Sequence, residues 1–142
     1  HGGALIENFE LRFVGGRVVE ATARVGKDVL DSLLGTDEGA RRLGEVALVP
    51  HSSPVSETGL LFYNGILDEN AASHLALGFA YQFTLAGGEQ MGDDEFKAAG
   101  GNFSLIHVDF MIGSDVLDVD GVRENGEVEP IMRQGEWAFK PD

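Results

Sequence analysis

At 142 residues the chain has the length of one domain, and 43% hydrophobic residues give it enough apolar material to bury a core. A formal charge of −14, from 10 Lys+Arg against 24 Asp+Glu, excludes nucleic acid and an anionic membrane surface as partners, because both demand a basic face. Cysteine is absent, which removes thiol catalysis, thiolate metal sites and disulfides, and makes a soluble, reducing cytoplasmic compartment the expectation.

The chain opens on His1-Gly2-Gly3 without an initiator Met and enters patterned sequence almost at once, so it reads as a piece of a longer protein, the alternative being a whole small protein behind a processed tag remnant. Residues 5–14 and 17–24 are strand-like and flank Gly15-Gly16, which predicts a hairpin with a tight turn. Residues 27–34 place Val29, Leu30, Leu33 and Leu34 at helical spacing and stop at Gly35. Thr36 can cap a second short helix over 37–43, with Asp37 and Glu38 in its first turn and Arg41 and Arg42 in its last. A short strand is expected over 45–49, a Ser/Pro loop over 51–59 and an apolar strand over 60–63. Residues 68–81 predict the central helix, from an acidic start and small apolar residues recurring at i+3 and i+4.

Residues 86–101 are Gly-rich and acidic and read as a surface excursion. A strand follows over 104–112. Short strands are then expected over 115–119 and 129–133, with turns at Asp120-Gly121 and Asn125-Gly126, and a last strand begins at 135–137. No apolar run is long enough to span a bilayer and no secretory leader is visible, so the sequon Asn102-Phe103-Ser104 carries no expectation of glycosylation. The elements predict an α+β fold, a mixed sheet with hairpins and two to three helices in a single domain.

The chemistry concentrates in the strand at 104–112. Residues two apart on a strand share a face, so His107 and Asp109 project together while Ile106, Val108 and Phe110 face the other way. An imidazole and a carboxylate on one rigid face suit a divalent metal ion. Two further residues are candidates. His74 sits among alanines in the expected central helix, and Glu45 opens an apolar strand where a lone carboxylate is costly to bury. Each also has an ordinary explanation: His74 as a hydrogen-bonded core histidine, Glu45 as a solvated charge at a strand end, the His-x-Asp pair as an exposed strand face. His51, in the Ser/Pro loop, is expected to be solvated.

Residues 44–50, 59–64, 68–78 and 107–113, with 117–121 and 133–137, strongly resemble the thermophilic-type metalloaminopeptidases, the family of aminopeptidase T and aminopeptidase S. The resemblance runs from Gly2 to the end. It implies a two-metal peptidase that hydrolyses the N-terminal peptide bond, with zinc, cobalt, manganese or magnesium as the ions. The family's metal ligands fall here on Glu45, His74, His107 and Asp109, and its remaining glutamate lies upstream of His1. Its active-site tyrosine falls on Tyr81, two turns beyond His74 on the expected helix, where a phenol can donate to an oxyanion. The resemblance further implies peptide substrates and a homodimer of the full-length protein. Either a metal-bridging carboxylate or Glu69 can serve as general base, and Glu69 is equally explained by the start of its helix.

Two rival readings differ in class. Iron(II) oxygenases also use His-x-Asp, but those that resemble the oxoglutarate-dependent group place a second histidine downstream, and no histidine follows His107. The other rival is an inactive folded fragment or assembly module with an incomplete metal site.

Overall fold

The computed structural model describes residues 3–140, and the expectation attached to His1 lies outside them. Among the described residues, eight strands in three small sheets and four α-helices, with short 3-10 turns between them, make the fold α+β. Two compact units are distinguished, His1–Glu45 with Ala76–Asp109 and Val46–Leu75 with Phe110–Asp142.

The first unit begins with strands β1 (Glu7–Val14) and β2 (Arg17–Val25), which pair antiparallel around Gly15 and Gly16 as the hairpin reading expects. Both glycines have positive φ, which the tight turn requires. Helix α1 (Lys27–Leu34) follows and buries Leu30, Leu33 and Leu34. The second predicted helix is absent. Residues Gly39–Arg41 make a single 3-10 turn, and β3 (Leu43–Ala47) starts two residues earlier than expected.

Asp37 explains the difference. One carboxylate oxygen accepts from the Ala40 N–H (2.8 Å) and the Ser104 hydroxyl (2.8 Å), the other from the Leu105 N–H (2.7 Å). The side chain is spent on a distant segment instead of opening a helix, and a Cβ at Gly39 would overlap the Phe103 carbonyl, so this turn is shaped by long-range contact.

Strands β3, β4 (His74–Gly78) and β5 (His107–Met111) form a sheet in the order β3-β4-β5, of which residues 43–45, 76–78 and 107–109 belong to the first unit. The predicted helix over 68–81 is therefore corrected. A short helix, α3 (Gly65–Glu69), ends before the turn that leads into β4. Alanine and glycine fill this stretch because the strand is closely hemmed in: Ala76 is fully buried, Gly78 adopts φ 101°, and a Cβ on Gly78 would overlap the Ile106 carbonyl. A buried run of small apolar residues has no periodicity that separates strand from helix. The Gly-rich excursion also carries structure, helix α4 (Asp93–Ala98), which buries Phe96.

In the second unit, α2 (Pro54–Glu57) lies within the expected loop, capped by Ser53 and opened by Pro54. Residues 60–63 are not a strand. Both oxygens of Asp68 are taken up there, accepting from the Phe62 and Asn64 N–H groups at 2.8 and 2.9 Å, and this bends the chain into the start of α3. The Ser73 hydroxyl, fully buried, accepts from the Val49 N–H and donates to the Val49 carbonyl, while the Ser73 carbonyl accepts from Ile112 and Gly113. Strands β6 (Val119–Val122), β7 (Val128–Arg133) and β8 (Glu136–Trp137) form an antiparallel meander over the buried Met132. The turn at Asn125-Gly126 is as predicted. Gly121 instead pairs with Glu129 inside β6, so the expected strand over 115–119 and turn at Asp120-Gly121 shift along the chain.

Burial alone would raise the Asp37 pKa, but the hydrogen bonds from Leu105, Ser104, Ala40 and Gly39 outweigh it and hold it below its ordinary value of 3.8. The carboxylate's contribution is fully present above the unfolded pKa and is lost as pH falls through the folded one. Asp37→Ala is expected to cost roughly 2 kcal/mol at neutral pH, read by urea denaturation. The deficit should shrink below about pH 4. A pH-independent deficit would mean that the carboxylate charge plays no part.

Candidate metal centre

β5 presents His107 and Asp109 on one face, as alternation requires, and β3 brings Glu45 to them within the first unit. His107 Nε2 lies 3.2 Å from Glu45 Oε2 and 3.3 Å from Asp109 Oδ1. Ligand atoms of the three residues all fall within 4.8 Å of one another, and the three side chains are 20–28% exposed. The site is thus sheltered but open to solvent on one side.

The other nitrogen of the ring decides what this cluster can do. His107 Nδ1 is 2.7 Å from the Phe79 carbonyl oxygen, an acceptor only, so Nδ1 must carry a proton and donate. In the neutral ring Nε2 is then a lone pair aimed at two carboxylate oxygens. Asp109 Oδ1 is buried and receives no hydrogen bond. The Nε2 lone pair and one oxygen from each of two carboxylates therefore converge, and a divalent cation fits among them. With nitrogen and oxygen donors only, the set fits a zinc-, cobalt-, manganese- or magnesium-type ion.

Tyr81 belongs to the same unit. Its ring centroid lies 5.2 Å from that of His107, although the helix expected to carry it is absent; the residue is extended and precedes a 3-10 turn, Gln82–Thr84. Its relation to His107 thus replaces the predicted helical spacing from His74.

His74 lies in the second unit as the first residue of β4, buried, with Nδ1 2.9 Å from the carbonyl of Ala72. The same tautomer follows, with the Nδ1 proton donated and Nε2 the acceptor. Glu69, of the same unit, offers a carboxylate oxygen within 4.8 Å of a ring nitrogen of His74. The helix-start explanation for Glu69 fails, because it is the last residue of α3, where the dipole disfavours an acid. A continuous helix over 68–81 would set residues 69 and 74 on different faces; the turn between α3 and β4 is what joins them, and no local pattern announces it. His51 is exposed and donates its N–H to the Gly135 carbonyl, outside either cluster.

Residues 1–137 match the profile of the family described as thermophilic metalloprotease (M29). The chain belongs to this family. Within the metalloprotease family it is 52% identical to aminopeptidase AmpS of Bacillus subtilis (strain 168) over 139 residues, 98% of this chain and 34% of that protein. It is 54% identical to aminopeptidase 2 of Geobacillus stearothermophilus over 140 residues, 99% of this chain and 34% of that protein. The solved structure of wild-type AmpT from Thermus thermophilus superposes with a TM-score of 0.88 at 54% identity, covering 98% of this chain and 34% of that one. The chain spans about a third of the length of the curated relatives it matches.

If the three acceptors hold an ion, titration calorimetry with a zinc or cobalt salt should show binding that His107→Ala weakens roughly a hundredfold. At an ion concentration 100 times Kd the parent chain should gain about 2.7 kcal/mol in unfolding free energy. Equal gains in parent and variant would remove the cluster as a metal centre.

Proposed function

We propose that the chain is the carboxy-terminal, metal-binding catalytic portion of an aminopeptidase that hydrolyses the N-terminal peptide bond of peptides with the help of two divalent ions. The observation that carries this reading is the convergence of His107 Nε2 with the carboxylates of Glu45 and Asp109, in a chain half identical to proteins named aminopeptidases. Glu45, His107 and Asp109 are assigned to one ion. Glu69 and His74 form a second nitrogen–oxygen pair, and the two ligand sets support a two-ion reading. The family's further glutamate is assigned to residues outside this sequence, as the resemblance implies.

When bound, such ions supply Lewis acidity for the scissile carbonyl and an acidified water as nucleophile. The chain's own residues do the rest. The carboxylates of Glu45 and Asp109, beside His107, make an anionic surface that attracts the protonated α-amine of a peptide. The carbonyls of Phe79 and Ala72 hold the two imidazoles in the ligating tautomer. The Tyr81 phenol, beside His107, is assigned as donor to the oxyanion that develops on the carbonyl. A cytoplasmic homodimer is proposed from the resemblance. Among the described residues no helix is long and apolar enough to cross a membrane.

The whole protein should release amino-terminal residues from amino-acid anilides, lose that activity to a chelator and regain it with zinc or cobalt. His107→Ala and Glu69→Gln should each lower kcat/KM at least a hundredfold, and Tyr81→Phe about ten- to a hundredfold. The 142-residue chain alone should turn over far more slowly than the whole protein. Chelator-resistant activity would overturn the metal reading, and full activity of the short chain would overturn the shared ligand set.

A further inference from the structure

Phe83 lies 67% exposed on the 3-10 turn Gln82–Thr84, a large apolar ring facing solvent in the unit that holds His107. It is not a loose side chain on a loose loop. Thr84 donates both its N–H (3.2 Å) and its hydroxyl (2.6 Å) to the Tyr81 carbonyl, and Leu85 N–H donates to Gln82. The Gln82 amide reaches the Met91 carbonyl at 3.3 Å. Phe83 stacks on Tyr81 with centroids 5.3 Å apart and planes 24° from parallel, and Tyr81 in turn packs against His107 at 5.2 Å. Phe79 meets Tyr81 edge-on at 5.6 Å. Residues 79, 81 and 83 thus form an aromatic row that starts at the carbonyl orienting the metal-side histidine and ends in an uncovered ring.

We infer that Phe83 is a specificity-determining residue: its exposed face is the wall against which the apolar side chain of the substrate's amino-terminal residue packs. The inference rests on the aminopeptidase reading. A substrate whose α-amine and scissile carbonyl lie at the His107 cluster, beside the Tyr81 phenol, projects its first side chain a residue's width away, and the Tyr81–Phe83 stack extends by that order from His107. The row has no charged member, so it rewards aliphatic and aromatic side chains and gives little to alanine or glycine. The stack also fixes the ring, so little ordering cost opposes contact.

The test uses the metal-loaded whole protein and compares leucine with alanine anilides. Phe83→Ala should lower the leucine-to-alanine ratio of kcat/KM about tenfold, chiefly through KM, and Phe83→Leu should restore most of it. Calorimetry with the uncleavable amino alcohols leucinol and alaninol should show the same loss of discrimination in binding, free of any effect on turnover. An unchanged ratio, or an equal loss for both substrates, would overturn the inference and leave the aminopeptidase reading intact. A parent protein inactive on every anilide would overturn both. Since Phe83 is exposed, its variants should melt with the parent; a variant that unfolds early while keeping the parent ratio would make Phe83 a structural residue and overturn its assignment.

Discussion

The hydrogen bond from His107 Nδ1 to the Phe79 carbonyl is the interaction on which the centre depends. Residue 79 is held at both ends of its peptide group. Its N–H donates to the Ile106 carbonyl at 2.7 Å, which positions the start of β5, and its carbonyl accepts the hydrogen bond from the imidazole Nδ1–H, which sets what the ring can bind. That double engagement needs backbones at very close range. A Cβ at Gly44 would overlap the carbonyls of Gly78 and Phe79, and one at Gly78 would overlap Ile106, so glycine at both positions is a condition of the geometry. The Asn102 side-chain amide completes the arrangement by donating to the Gly78 carbonyl at 2.6 Å. Chemistry at His107 therefore rests on backbone packing at Gly44, Gly78 and Phe79, none of them a candidate ligand.

The same geometry makes the metal-free cluster a liability. Two carboxylates face one imidazole lone pair in a molecule already carrying a charge of −14, and a buried acceptor with no donor costs about 1–3 kcal/mol. Such a cluster persists because its surroundings over-determine it: the Asp37 carboxylate ties residues 104 and 105, just before β5, to the turn before β3. Stability placed at the Asp37 latch offsets instability placed at the ligands.

Much of this was legible in the sequence where a local rule decides the outcome. Gly15-Gly16 marks a turn that only positive φ can make, Lys27–Leu34 shows an unbroken helical stripe ended by glycine, and His-x-Asp on a strand must present both side chains together. Glu45 was legible because an acid in an apolar strand needs a reason. The failures share one cause. Residues 68–81 are small and apolar because β4 is crowded by its neighbours, a tertiary demand that imitates helical spacing, and with the false helix went the true relation of Glu69 to His74 and of Tyr81 to His107. Residues 37–43 fail likewise, since Asp37 reads as a first-turn acid and instead serves residues far along the chain.

The two histidines also differ in how their orientation is secured. His74 donates to a carbonyl two residues back, a bond formed within its own turn, whereas His107 depends on a carbonyl 28 positions away. A local bond survives loosening of the surrounding structure; a long-range one is lost as soon as the β4 and β5 segments part. The ligating tautomer of His107 is therefore coupled to the integrity of its whole unit, and that of His74 only to one turn. An ion held by Glu45, His107 and Asp109 would favour the state in which residues 79 and 107 are in register, so binding there would be linked to folding of that unit, whereas the His74 ring is oriented by a bond within its own turn.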